Sequence, residues 1–305
     1  MSSPILLWFR QDLRLYDNSA LLEAVKQNTP ILPVYILDDD NADEFKMGGA
    51  SRLWLYHSLN ALNKSLNGHL HVYKGDAKNI IPKIIENTGI KTVYWNRCYE
   101  PWRIQRDKAI KSTLSEQDIE VKSFNSSLLW EPWQIQTQSK TPYKVFTPFY
   151  KKGCLAEPPP PKPQSIPKDI EFVSDHHSFE TELDNLGLTP KIEWDKQMLE
   201  HWDISEDGAQ ATFKTFLESG LKGYKEKRDN PHLSNVSRLS PYLHFGEISP
   251  RDIWHTARDY AKAHDIPERD IDHFCSELAW REFSYHLLYH FPDLPRKNLQ
   301  DKFDK

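Results

Sequence analysis

A carboxylate, an indole and a guanidinium recur at helical spacing late in the sequence. In SELAWREFS (276–284), Glu277, Trp280, Arg281 and Ser284 fall at i, i+3, i+4 and i+7, which places them on one face of a helix. Such a face suits a flat heteroaromatic ligand, because the indole can stack on the ring while the charged groups hydrogen bond to its edge. The same spacing equally permits a Glu277–Arg281 ion pair beside a core tryptophan, worth about 0.2–0.5 kcal/mol. His286 and His290 lie four apart on the same run. No further ligand is evident nearby and HEXXH is absent, so no metal site is predicted.

Upstream, SNVSRLSPYLHFGEISP (234–250) sets Ser237, Arg238 and Ser240 immediately before an apolar helical pattern. Hydroxyls and free N–H groups at a helix start attract phosphate, and Arg238 would add charge, although an ordinary capped helix explains the same residues. GLKGYKEKRDNP (220–231) gathers Lys222, Lys225, Lys227 and Arg228 around Tyr224. A phosphate backbone would seek such a patch, and a solvated surface would also carry it. RQDLRLYDN (10–18) is the third charged cluster. It is read either as a ligand loop at a sheet edge or as a solvated loop capping the next helix through Asp17 or Asn18.

The elements that must position these groups fall into two regimes. PILLWF (4–9), ILPVYIL (31–37), HLHVYK (69–74), TVYWN (92–96) and IEVKSF (119–124) read as strands, separated by helical segments near 18–28, 50–66, 76–88 and 102–117. That alternation predicts a five-stranded parallel, doubly wound α/β sheet over residues 1–130. No GxGxxG or P-loop glycine pattern follows the first strand, so a dinucleotide or P-loop site has no basis there. Residues 131–205 lose the rhythm, and EPPPPKPQSIP (157–167) reads as a stiff linker, with docking to an SH3-type partner as the rarer use. From 206 to 305 apolar residues recur at three- and four-residue spacing, predicting an all-helical second domain.

Composition narrows the class further. Hydrophobic residues make up 38 % of the 305, and no apolar run approaches the roughly 20 needed to span a bilayer. The start has no basic residue before its short apolar stretch, so neither secretion nor membrane insertion is expected. Cys98, Cys154 and Cys275 are odd in number and widely spaced, which suits a reducing cytoplasm. The net charge of −5 argues against wholesale coating of nucleic acid but leaves room for a local basic patch.

Taken in order, LLWFRQDLRLYDN (6–18), MGGASRLWL (47–55), YEPWRIQRDK (99–108), YKVFTPFYK (143–151), GYKEKRDNP (223–231), VSRLSPYLHFGEISPR (236–251) and ELAWREFSYHLLYHFP (277–292) resemble the corresponding segments of the DNA photolyase and cryptochrome flavoproteins, most nearly class I photolyases of cyclobutane pyrimidine dimers. The resemblance covers essentially the whole chain.

It implies an antenna-carrying α/β domain followed by a helical FAD-binding domain, with reduced FAD as the active form and deoxyribodipyrimidine photo-lyase activity. Tyr224, Val236, Ser237, Arg238, Leu239 and Ser240 would contact FAD, and Phe274, Glu277 and Arg281 would line its ring pocket. Many members have Thr where Val236 stands. Glu277 and Trp280 would face the flipped dimer as the catalytic pair, and Arg228 and Trp280 would contact damaged DNA. The antenna would be 5,10-methenyltetrahydrofolate or a deazaflavin, although Trp102 and Arg103 replace the Asn and Glu of some folate-binding members. A monomer is implied. In the family, the helices completing the flavin cavity and the tryptophans that photoreduce FAD come after the point corresponding to QDKFDK. The chain is therefore expected to be an amino-terminal portion with an incomplete FAD-binding domain, inactive alone. A blue-light photoreceptor of the cryptochrome type would share all these motifs, and an isolated antenna-binding module is the third alternative.

Overall fold

In the computed structural model, which describes residues 3–173 and 179–304, the predicted strands and helices form the first layer system. Strands β1 (Ile5–Phe9), β2 (Ile31–Leu37), β3 (His71–Lys74), β4 (Thr92–Asn96) and β5 (Glu120–Phe124) make one parallel sheet in the order β3-β2-β1-β4-β5. Helices α1 (Ser19–Val25), α2 (Gly49–Ser65), α3 (Ala77–Thr88) and α4 (Pro101–Ser115) supply the crossovers. β1 is buried throughout, and its alternation divides the core. Leu6 and Trp8 join Ile81, Ile84 and Leu114 on one face, while Ile5, Leu7 and Phe9 join Leu55, Leu59 and Leu62 on the other.

The second of these clusters does not stop at the sheet. It continues through Trp130, Phe149 and Phe216 to Phe274 and Phe283. The helices it reaches are α5 (Lys196–His201), α6 (Glu206–Ser219), α7 (Tyr224–Lys227), α8 (Ser240–Phe245), α9 (Pro250–Ala263) and α10 (Glu268–His290). Ser205 caps α6 by accepting from Gly208 N–H, and Ser249 caps α9 by accepting from Arg251 and Asp252.

Strand order reverses between β1 and β4, where open α/β sheets ordinarily leave a ligand crevice. Here it is filled. Arg10 bonds Asp107 at 2.6 Å, and Asn96 donates to Asp12 at 2.6 Å and to Asn18 at 2.7 Å. Arg14, 1 % exposed, donates to the carbonyls of Gly246 (2.8 Å) and Ser126 (2.7 Å). Of the two candidate caps for α1 only Asn18 serves, accepting from Leu21 N–H. Asp17 turns instead to Arg251 at the start of α9 and accepts from Ser249. Most of the loop is covered because α8 and α9 dock on it, while Arg10 and Gln11 at its start still line a cavity beside the sheet edge. Gly246 ends α8 at φ 75°, and a Cβ there would collide with the Gln11 carbonyl, so glycine alone permits the approach.

The proline-rich stretch is exposed but does not hang free. Asp17 N–H donates to Gln164 O (2.9 Å), Trp130 Nε1 donates to Pro158 O (3.2 Å), and His255 Nε2 bonds Pro160 O (2.8 Å). The predicted spacer is thus a strap across the junction, and just beyond it Phe172 bridges Ile31 of β2 in parallel register. Residues 174–178 of the predicted linker lie outside the described residues. Among the described residues, no helix is long and apolar enough to cross a membrane.

Candidate functional site

The basic turn is held onto α10 by one buried carboxylate. Gly223 adopts φ 81° ahead of α7, and Gly223 and Lys225 N–H groups donate to Asp270 at 2.8 and 3.1 Å. Tyr224 consequently points inward, edge-on to Phe216 and Phe274 at 5.5 Å each, and burial pushes its hydroxyl up to about 12. Tyr224, Phe274 and Leu239 are packed core side chains. Asn235 ties the following loop back by donating to Gly220 O (2.8 Å) and Lys222 O (3.2 Å).

Beyond that tether the chain turns outward. Val236 and Ser240 are exposed and Ser237 is half-buried. Arg238 takes φ 54° and Leu239 φ −88°, a left- then right-handed pair that aims successive N–H groups to one side. Among the described residues, the N–H groups of 236–240 donate to no protein acceptor. The Arg238 guanidinium does not overlook this cradle. It lies 4.1 Å from the Trp202 ring centre and donates to His201 O, so the charge expected from Arg238 is turned aside.

Helix α10 splits the predicted face in two. Arg281 turns towards the sheet, donating to Ser127 O at 2.7 Å and pairing with its neighbour Glu282 at 3.2 Å. The Glu277–Arg281 pair is therefore not formed, because the loop after β5 offers Arg281 a less exposed partner. Glu277 pairs instead with Arg228, whose pKa is raised chiefly by that hydrogen bond. Trp280 stands beside them, 46 % exposed, stacked on Phe146 at 3.7 Å with 10° between the planes. Ser284 bonds only its own helix, donating to Trp280 O. The structure thus brings Arg228, Glu277 and Trp280 together, places Tyr224 and Phe274 beneath them, and directs Arg281 elsewhere.

Sequence reasoning passed over Glu282, 3 % exposed, which accepts from the N–H groups of Leu129 (2.8 Å) and Trp130 (3.3 Å). Burial pushes its carboxyl up to about 7 despite Arg281. Nothing local in ELAWREF marks Glu282 for this task, since its partners lie over 150 positions away. Phe146 was also without a role, although its motif was visible. His290 Nε2 bonds Pro132 O (3.1 Å), and buried His286 sits against Phe149, with burial the largest influence holding its pKa down at about 4.

A separate cavity of about 410 Å³ opens between the carboxyl edge of the sheet and the helices, lined by Arg10, Tyr35, Trp102, Arg103, His244 and Arg296 among others. Arg103 lies 4.5 Å from the Trp102 ring centre and 3.5 Å from Glu100. The neighbouring space between β2 and Arg106 is only about 40 Å³.

The DNA photolyase family model matches residues 5–167. The chain is 42 % identical over 307 aligned residues to the deoxyribodipyrimidine photo-lyase of Agrobacterium fabrum, covering 99 % of this chain and 63 % of that protein. It is 28 % identical to cryptochrome-1 of Arabidopsis thaliana, over 94 % of this chain and 43 % of the relative. Among solved structures, a bacterial class III photolyase from Agrobacterium tumefaciens matches with a TM-score of 0.92 and 42 % identity, covering 100 % of this chain and 62 % of that one. Segments of the sequence resemble class I enzymes, whereas this solved neighbour is a class III photolyase. The chain spans somewhat under two thirds of the length of both Agrobacterium proteins.

Proposed function

The chain belongs to the DNA photolyase family, and on that premise we propose that it carries the lesion-facing surface of a light-driven enzyme that reverses cyclobutane pyrimidine dimers in DNA. The observation that carries the proposal is the juxtaposition of an exposed indole, Trp280, with Glu277 and Arg228 on one surface. A dimer must leave the duplex stack before an enzyme can act on it, and its distorted pairing makes that extrusion cheaper than for an intact pair. Trp280 then offers the flipped bases a stacking surface, and Glu277 accepts an imide N–H from them. Arg228 neutralises Glu277 beforehand and passes to a DNA phosphate when the duplex arrives.

The residues fit one wall of an FAD site. The free N–H groups of 236–240 suit the pyrophosphate, with Val236, Ser237, Leu239 and Ser240 contributing backbone or hydroxyl, and Tyr224, Phe274 and Glu277 forming the floor towards the ring. Arg238 and Arg281 act through the fold, since both are engaged elsewhere. When bound, reduced FAD excited by light supplies the electron whose transit through the dimer breaks the two carbon–carbon bonds and is then returned. We assign residues 1–130 to the antenna domain, 131–205 to the strap and 206–305 to the flavin-binding part. The antenna, 5,10-methenyltetrahydrofolate or a deazaflavin, belongs in the 410 Å³ cavity, which is within the usual range for small-molecule sites. The three cysteines are unpaired and buried, which suits a reducing cytoplasm.

The full-length gene product, loaded with reduced FAD and given a duplex containing one cyclobutane dimer, should restore intact pyrimidines under blue or near-ultraviolet light and not in the dark. Full flavin loading with no light-dependent loss of dimers would overturn the repair assignment and favour the photoreceptor.

A further inference from the structure

The YKVFTPFYK motif supplies the ring stacked most closely on Trp280. Phe146 covers one face of the indole at 3.7 Å and 10°, while Tyr150, itself buried, stacks behind Phe146 at 5.8 Å and 15°. Phe283 wedges both from inside, at 5.9 Å from each and near edge-on to each. The three stacked rings form a column that rises from the core and ends on the outer face of Trp280. The segment carrying Phe146 and Tyr150 is closely packed at Gly153, where a Cβ would collide with Ile135 and crowd Tyr143.

We propose that Phe146 is a positioning residue for lesion recognition: it backs the indole of Trp280 and holds its plane so that a flipped pyrimidine stacks on the remaining open face. This rests on Trp280 being the lesion contact. An exposed tryptophan at a helix surface ordinarily samples several rotamers, and a ligand that stacks on it must bear the cost of freezing them. Here the parallel Phe146 ring and the Phe283 edge have already selected one orientation. The arrangement also decides which side is used. With one face covered by Phe146, only the opposite face can accept a base, which gives the flipped dimer a single approach.

The test is a binding cycle with the full-length gene product on two duplexes, one containing a single cyclobutane dimer and one of the same sequence undamaged. Phe146→Leu should weaken binding to the dimer duplex about threefold to tenfold, the scale of losing one aromatic pair, and leave the undamaged duplex unchanged. Phe146→Tyr keeps a ring at the position and should bind like the parent, so a loss confined to Phe146→Leu reports the ring and not misfolding. The double variant Phe146→Leu/Trp280→Ala should bind no worse than Trp280→Ala alone, because Phe146 acts only through the indole. If Trp280→Ala loses dimer affinity while Phe146→Leu does not, or if the two losses add, the positioning role is wrong and the lesion contact stands. Tighter dimer binding by Phe146→Leu would show a plug in place of a support and overturn the proposal. No selective loss in Trp280→Ala would overturn the lesion contact and the positioning role together.

Discussion

The loop after β1 and the outer face of α10 draw on the same residue types, arginine and carboxylate beside aromatic rings, and use them in opposite ways. In the loop, Asp17 is fully buried and meets Arg251, Ser249 and the strap residue Gln164, while Arg14 is satisfied by carbonyls from three separate segments. At the outer face of α10, Glu277 and the Arg228 side chain that reaches it from the end of α7 are 31 % and 25 % exposed and hold mainly each other. A buried charge with every partner in place is committed to structure, because withdrawing any partner strands it in a medium that solvates it poorly. A half-exposed pair is cheap to exchange, since water screens both ions and a phosphate or a base can replace either partner. Charge richness in the sequence therefore marks both a joint and the proposed recognition surface, and burial separates them.

The largest effect should come from striking the joint. Asp17→Ala leaves Arg251 without its carboxylate and should cost about 3–5 kcal/mol of stability in urea denaturation, whereas Arg228→Ala should cost under about 1 kcal/mol. Equal losses would erase the distinction between the two regions.

The second effect is pH dependence at the junction. Burial pushes Glu247, which accepts from Trp54 Nε1, and Glu282 up to about 7 from 4.5. The folded state then holds protons that the unfolded chain releases, so the contribution of these two groups to stability is fully present below about 4.5, declines as pH rises, and is lost above about 7. His286, held down at about 4 from 6.5, works in the opposite direction between those values. Glu282→Gln keeps an acceptor for Leu129 and Trp130 and should flatten the decline between pH 5 and 7, which a denaturation series across pH would read. An unchanged slope would mean that Glu282 is not a source of it.

On the proposed recognition surface, Trp280→Ala should weaken binding to dimer-containing DNA by about 1–3 kcal/mol while leaving FAD content and undamaged-DNA affinity nearly intact. The smallest effect belongs to Arg228. Its removal should weaken damaged and undamaged duplexes together and lower the salt slope by about one phosphate contact, with an added loss from the now unneutralised Glu277. Arg228→Ala/Glu277→Gln should recover that added loss for the undamaged duplex. No recovery would show that Arg228 does not shield Glu277.

The sheet was legible from local pattern because period-two burial and crossover spacing repeat over short windows, and the observed strands match the predicted ones to within two residues at either end. Glu277 and Trp280 were legible for a similar reason: helical spacing puts them on one face whatever surrounds the helix. The partners of those residues were not legible. Arg281 shares the helical face of Glu277 in sequence, yet Ser127, more than 150 positions away, takes its guanidinium. Asp17 reads as a helix cap and becomes the anchor of α9. Arg238 reads as a phosphate ligand and lies on Trp202. The family motifs and periodicity in the sequence alone determined which strands form and that Glu277 and Trp280 share one face of α10. Tertiary structure alone decided who pairs with whom, because a charged side chain takes the partner that burial makes most costly to lose, and burial belongs to segments brought together only by the fold.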